Sequence, residues 1–229
     1  MNGDNRAWNW EFAFEIFPEI LSAITVTIGA TVVAYFISLT VGLLFTLLRR
    51  SSFKPLSLLM AGIIEFIRAT PPLVQLFFVF YTTPLSGFQT GALVLGIHYA
   101  TYVSEIYRSG IDAVPKSQWE ASRALNFSTA QTWRKVILPQ AVPPVIPMLG
   151  NYLIVLFKET PLLSAIFVVE MMATARAIGT DTWNYVEPIT IVGILFLVLS
   201  YPSAVFIRYL ERKVGNLHGN KIEARGVKT

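Results

Sequence analysis

Apolar residues run in long stretches along this chain and give way, in alternate gaps, to short segments dense in Lys and Arg. Runs of roughly 17 to 25 apolar residues are long enough to cross a hydrocarbon core of about 30 Å as helices. The pattern predicts five such spans, at about 20–48, 56–81, 91–107, 142–157 and 189–209, the third and fourth being short or interrupted. The expected architecture is therefore an all-α polytopic membrane protein, a single transmembrane domain over 1–229.

The basic residues set an orientation. Arg49, Arg50 and Lys54 follow the first span; Arg108, Lys116, Arg123, Arg134 and Lys135 separate the third from the fourth; Arg208, Arg212, Lys213, Lys221, Arg225 and Lys228 follow the fifth. Cytoplasmic loops of membrane proteins carry the excess of Lys and Arg, so these segments are expected inside, the C-terminus with them and the N-terminus outside. The loop 82–90 has no charge, as an outer loop can. Trp8, Trp10, Trp183 and Tyr185 suit the outer aromatic belt. Asp4, Glu11, Glu15 and Glu19 precede the first apolar run, which argues against a cleavable signal peptide and for a retained helix.

One cytoplasmic loop has a pattern of its own. Between Gln118 and Ala141 the spacing predicts a helical hairpin, about 117–139. Ser117 with Glu120 reads as a capping box, and Ser128 with Gln131 as a second. Asn126 sits where the first helix would end in the left-handed region, which Gly tolerates best and Asn next. The second helix is expected to run from Thr132 to Ile137 and to end before Pro139.

Composition removes whole classes of function. The chain is 54% hydrophobic and 14% charged, with a mean hydropathy of +0.56. That is too apolar for an average soluble domain. The absence of cysteine excludes disulfides and thiolate metal sites, and His98 and His218 lie in different segments, so neither a metal centre nor a histidine-based active site is expected. No phosphate-cradling G-x-x-x-x-G-K-[ST] sequence occurs, so ATP, if used, is bound by a partner subunit and the chain itself needs no cofactor. The net charge of +4 is assigned to cytoplasmic loops rather than nucleic acid.

Several residues inside the spans call for an explanation. A charge in a transmembrane segment usually pairs or lines a wet cavity. Glu65 and Arg68 share a helical face and can pair, as can Glu105 and Arg108. Thr70, Pro71 and Pro72 interrupt helical hydrogen bonding. Lys158 and Glu159 point about 100° apart on a helix, so each is expected to find a separate partner. His98 is expected as a hydrogen-bonded buried histidine. Ala30, Ala34, Ser38 and Gly42 form a small-residue stripe that allows close backbone approach, within the subunit or against a partner. Residues 162–178, with Glu170 and Arg176 among apolar positions, are expected as one helix in the outer half of the membrane.

The hairpin resembles the EAA loop of ABC importer membrane subunits: Glu120, Ala121 and Ser122, then Asn126, then Val136, Leu138 and Pro139. Ser122 replaces the second Ala of that pattern and Asn126 its Gly. Glu65 to Tyr81, Tyr102 to Ala121 and Leu149 to Ile166 are similar to segments of permeases in the polar amino acid uptake family, with Ala69, Glu159 and Pro161 as departures. Within it, HYATYVSEIYR, RALNFS and PPVIPMLGNYLIVLFKETPLLSAI look like permeases of ectoine and hydroxyectoine uptake systems.

The resemblance implies a type I ABC importer permease fold with five transmembrane helices, in a bacterial inner membrane. It implies ABC ATPase subunits, a second permease subunit, an external solute-binding protein and a small zwitterionic solute as partners. It also implies coupling to the ATPase through Glu120, Ala121, Ser122, Asn126, Leu138 and Pro139. For the translocation pathway it points to Glu65, Arg68, Thr70, Gln75, Lys158, Glu159 and Thr160. The competing reading is a self-contained secondary carrier or channel, which needs no docking loop and often shows internal repeats, absent here. A membrane enzyme is third, since no nucleophile, base and orienter can be assembled.

Overall fold

The protein was described with a computed structural model that covers residues 8–226, with side chains placed through Lys213. Asp4 and Lys228, and the side chains of His218, Lys221 and Arg225, lie outside the described residues. All regular structure among the described residues is helical. In chain order the elements are α1 (Trp10–Ser22), α2 (Ile24–Arg49), α3 (Lys54–Ala69), α4 (Pro72–Thr82), α5 (Gly87–Asp112), α6 (Lys116–Ala124) and α7 (Thr129–Thr132). A π-helical turn (Trp133–Ile137), α8 (Leu138–Glu159), a 3-10 helix (Thr160–Ile166), α9 (Met171–Thr182) and α10 (Val186–Gly226) complete the chain.

The apolar runs map onto these helices with three corrections. The first span starts well before Ile20: α1 and α2 form a nearly continuous 40-residue helix, Trp10–Arg49. Asn9 caps it, its side chain accepting from the Phe12 N–H at 3.1 Å. The second is broken. Pro71 forces Thr70 out of the helical region (φ −100°, ψ 138°) and Pro72 opens α4, so α3 and α4 meet at 101°. The segment 162–178 is two pieces, the 3-10 helix and α9, separated where Phe167 takes a left-handed φ of 62°.

Among the described residues, Trp10–Arg49, Thr129–Ile166 and Val186–Lys213 are long and apolar enough to cross a membrane, with α3 plus α4 a fourth if the bent pair is one span. Five apolar spans are thus not confirmed. The helix that falls short is α5, and its place in the packing explains why. Most of its length is buried against α2, α8, α4 and α3, so the side chains of Thr90, His98, Thr101 and Ser104 face protein rather than lipid. Thr101 and Ser104 donate to carbonyls one turn back, at 2.6 and 2.7 Å. A helix so enclosed does not need the hydropathy of one that meets lipid.

The small-residue stripe is what lets α5 sit there. Ala30, Ala34, Ser38 and Gly42 are all buried, and the surface they face is α5 of the same chain. A Cβ placed on Gly42 would lie 2.7 Å from Val103 Cγ1 and 3.0 Å from the Ala100 carbonyl; one on Gly96 would lie 2.6 Å from Ile37 Cβ. Both helices shed side chains at the crossing, and backbone-to-backbone contact results. Thr46 fastens the lower end, donating to the Ser104 carbonyl at 3.0 Å.

Candidate functional site

Two regions gather the candidate functional residues: the hairpin, and a polar cluster where α5 meets the broken pair α3 and α4.

The hairpin forms, with changes of detail. Asn126 adopts φ 56° and ends α6 as expected; the Phe127 N–H donates to the Ser122 carbonyl at 3.0 Å and the Asn126 N–H to the Arg123 carbonyl at 2.9 Å. The Ser128 and Gln131 capping box is present in both directions. The Ser117 and Glu120 box is not. Pro115 is extended and starts α6 at Lys116, which puts Ser117 inside the first turn rather than at the N-cap position, and no side chain caps the helix. Glu120 is therefore free and exposed.

Pro139 does not stop the second arm. Its ring clashes with a regular i−4 carbonyl, and the π-helical turn just before it widens the spiral, so that helix passes unbroken from the hairpin into α8. Trp119 and Trp133 pack edge to face with centroids 5.3 Å apart and close the root of the hairpin, above a small core of Val114, Ile137 and Ala141. Ser122 is buried, donating to the Gln118 carbonyl at 2.7 Å, while Glu120, Ala121, Asn126, Leu138 and Pro139 are exposed. The docking candidates thus divide into one internal support and a solvent-facing group. Leu125, which the motif did not single out, projects beside the turn at 67% exposure.

In the polar cluster the charges pair across helices more than along them. Arg68 reaches Glu65 at 3.7 Å, but that carboxylate is 73% exposed. The stronger hold is on α5: Arg68 donates to the Thr101 carbonyl at 3.1 Å, lies 5.1 Å from the centroid of Tyr102 and is 3.8 Å from Glu105. Glu105 pairs with Arg108 at 2.6 Å, as expected, and also with Arg49 at the end of α2. Asp112 pairs with Arg50 and, at 3.3 Å, with Arg108. Sequence spacing contains no signal for the Arg49 and Arg50 partners, 56 and 62 residues away.

The helix break is stitched from the same side. Pro71 and Pro72 leave carbonyls without partners, and Gln75 supplies one, its amide donating to the Ile67 carbonyl at 2.7 Å. Its oxygen lies 3.3 Å from His98 Nδ1, which makes His98 the buried, hydrogen-bonded histidine expected. Thr70 bonds back to the Ile67 carbonyl at 3.0 Å, and Thr160 to that of Phe157 at 2.8 Å.

Lys158 and Glu159 do not face one cavity. Glu159 lies beside the Tyr99 hydroxyl, next to Tyr102 and Tyr152, whose rings sit 5.8 Å apart. Lys158 is exposed and opens into a groove of about 440 Å³ against α10, lined by Phe196, Ser200 and Tyr201. The structure therefore brings Arg68, Gln75 and Glu159 to the α5 side and leaves Lys158 apart. Buried Glu170, which caps α9 through the Ala173 N–H at 2.7 Å, and buried Glu187, which accepts from the Asn9 N–H at 2.8 Å, stand at the starts of α9 and α10.

The sequence of the family described as binding-protein-dependent transport system inner membrane component matches residues 38–216. A probable amino-acid ABC transporter permease of Sinorhizobium fredii is 42% identical, over 87% of this chain and 89% of its own length. An arginine transport system permease and an L-cystine transport system permease, both of Bacillus subtilis, are 33% and 35% identical over 90% of this chain and 98% and 92% of theirs. Among solved structures, an amino acid ABC transporter with histidines superposes with a TM-score of 0.84 at 32% identity, covering 90% of this chain and 99% of that one. An inward-facing methionine ABC transporter shares the fold, with a TM-score of 0.64 at 20% identity over 90% and 99% of the two chains.

Proposed function

Because the chain belongs to the binding-protein-dependent transport system inner membrane components, the permease subunits of ABC importers, we propose that it carries a small zwitterionic solute of the polar amino acid type into the cell. The observation that carries this reading is the hairpin: a capped, exposed loop with Glu120, Ala121, Asn126, Leu138 and Pro139 on its surface, in a chain similar to permeases named for arginine and cystine. ATPase subunits dock on those residues, a second permease, identical or related, completes the pathway, and an external binding protein delivers the solute. ATP is bound by the partner and not by this chain. The five-span topology, with the N-terminus outside and the C-terminus in the cytoplasm, remains part of the proposal, α5 supplying the span that composition alone does not mark. The protein then resides in the bacterial inner membrane.

The solute path is proposed along Arg68, Gln75, Glu159 and the Tyr99, Tyr102 and Tyr152 rings, with Lys158 opening toward α10, and Glu65, Thr70 and Thr160 supporting the helix ends. Ectoine and hydroxyectoine are the finer assignment, resting on three sequence segments alone.

The test is radiolabelled uptake in cells lacking other importers, with the cognate binding protein present and ectoine, hydroxyectoine, glutamine, histidine and arginine compared. Uptake of an amino acid with no competition from excess ectoine would remove the finer assignment and leave the broader one. Lys158→Met should lower uptake more than the amount of assembled complex. Cysteines at Ser86 and Ser128 should label from opposite faces, Ser86 from outside; equal labelling by an impermeant reagent would overturn the topology.

A further inference from the structure

We propose that α5 is the rod that carries hairpin movement to the break between α3 and α4, and that Glu105 and Arg68 are the positioning residues that make the connection rigid. The inference rests on the hairpin's role as the ATPase dock and adds to it a route into the membrane.

The geometry has three parts. First, α5 ends at Asp112 and α6 begins at Lys116, so only Ala113, Val114 and Pro115 separate the rod from the hairpin. Val114 is buried in the hairpin root with Ile137 and Ala141, which leaves little slack in that joint. Second, one face of α5 holds both sides of the break. His98 meets Gln75, the residue that stitches the break, at 3.3 Å. One turn further along, Thr101, Tyr102 and Glu105 together hold Arg68, the last charged residue of α3 before it. Positions 98, 101, 102 and 105 are neighbours at helical spacing, so a shift or rotation of α5 moves them as a unit. Third, the break itself is compliant. Thr70 and Pro71 are both extended, and the side-chain amide of Gln75 bridges the Ile67 and Thr70 carbonyls, the former also accepting the Thr70 N–H at 3.4 Å. Segments of this kind absorb a change of angle that a continuous helix resists.

Glu105 stands at the junction because it binds Arg49 of α2, Arg108 of α5 and Arg68 of α3 at once. Its carboxylate ties the end of α2 and the end of α3 next to the break to α5. Arg68 is held by α5 more than by its own helix, since Glu65 is mainly solvent-facing. Neutralising either residue should therefore loosen transmission while leaving the packed α2 and α5 pair in place.

The chain has no cysteine, so spin labels can be placed singly at Ser128, on the hairpin, and at exposed Phe78, on α4. The permease is assembled with its ATPase and its second permease in proteoliposomes, the second permease, identical or related, carrying a label at the corresponding position, and distances between the two are measured before and after trapping with ATP and vanadate. In the otherwise native chain both labels should shift. In Glu105→Gln and in Arg68→Gln the Ser128 shift should persist, and the Phe78 shift should fall to less than about half. Thermal melting of the complex separates this from loss of fold. Glu105→Asp, which keeps the charge, should restore most of the Phe78 shift. A Phe78 shift undiminished in both variants would overturn the connection, as would loss of the Ser128 shift together with it. A native complex in which Ser128 does not respond to vanadate would instead defeat the docking role of the hairpin, and this inference with it.

Discussion

The hairpin and the α5 face of the membrane bundle are built from interactions of opposite range. Contacts in the hairpin are mostly local: Ser128 with Gln131, Phe127 with Ser122, Asn126 with Arg123. At α5 they are distant in the chain: Arg49 with Glu105, Arg50 with Asp112, Arg68 with Thr101, Gln75 with His98. A local motif keeps its shape wherever the loop is placed, which suits the docking role proposed for the hairpin. The distant set exists only once the helices have packed, and so it reports and constrains their relative positions.

The difference predicts distinct ways of failing. Gly110→Val should have the largest effect. A Cβ at Gly110 lies 2.3 Å from Val145 Cγ2 and 2.9 Å from the Ala141 carbonyl, so α5 and α8 must separate at a cost of about 1–3 kcal/mol. The expected result is a lower melting temperature in detergent and little assembled complex. A normal melting curve would mean that the crossing is looser than drawn.

Asn126→Val comes next. A β-branched residue at φ 56° costs about 1–2 kcal/mol at the turn, and the loss should appear as less copurified ATPase and less uptake with the membrane bundle still folded. Asn126→Gly should behave as the native chain. Equal ATPase retention by both variants would place the turn elsewhere. Glu120→Ala belongs beside it: since Glu120 caps nothing, it should weaken ATPase retention without moving the melting temperature.

Ser128→Ala removes one cap and should cost about 1 kcal/mol of local stability, seen as faster amide exchange confined to 129–137. Exchange that also rises in α5 would show that the two regions are less separate than their contacts indicate. The smallest effect separates the two carboxylates near Arg68. Glu65→Gln, at an exposed side chain, should change stability by no more than about 0.5 kcal/mol. Uptake and melting should both stay near native, in contrast to Glu105→Gln.

Much of the architecture was legible before any coordinates. The all-helical class, the helical hairpin, the left-handed Asn126 and the second capping box follow from periodicities and turn chemistry that act over a few residues. Where local rules misled, a neighbouring proline was responsible: Pro115 set the start of α6 ahead of the Ser117 box, and Pro139 was accommodated by a π-helical turn instead of ending its helix. The capping box that opens α5, Ser86 with Gln89, had the same signature and went unread.

Sequence alone therefore determined what each segment is, because hydrophobic period, caps and breakers are properties of adjacent residues. Only the tertiary structure decided what each segment touches. It showed that the Ala30 to Gly42 stripe receives α5 of the same chain, that Arg68 belongs to α5 more than to Glu65, and that Lys158 faces a groove against α10 while Glu159 lies beside Tyr99 of α5. The physical reason is that an apolar span can bury any of its faces, and a charge in it can pair with whichever opposite charge packing brings near. Those choices are made by close backbone approach between helices far apart in the chain, and no window of neighbouring residues contains them.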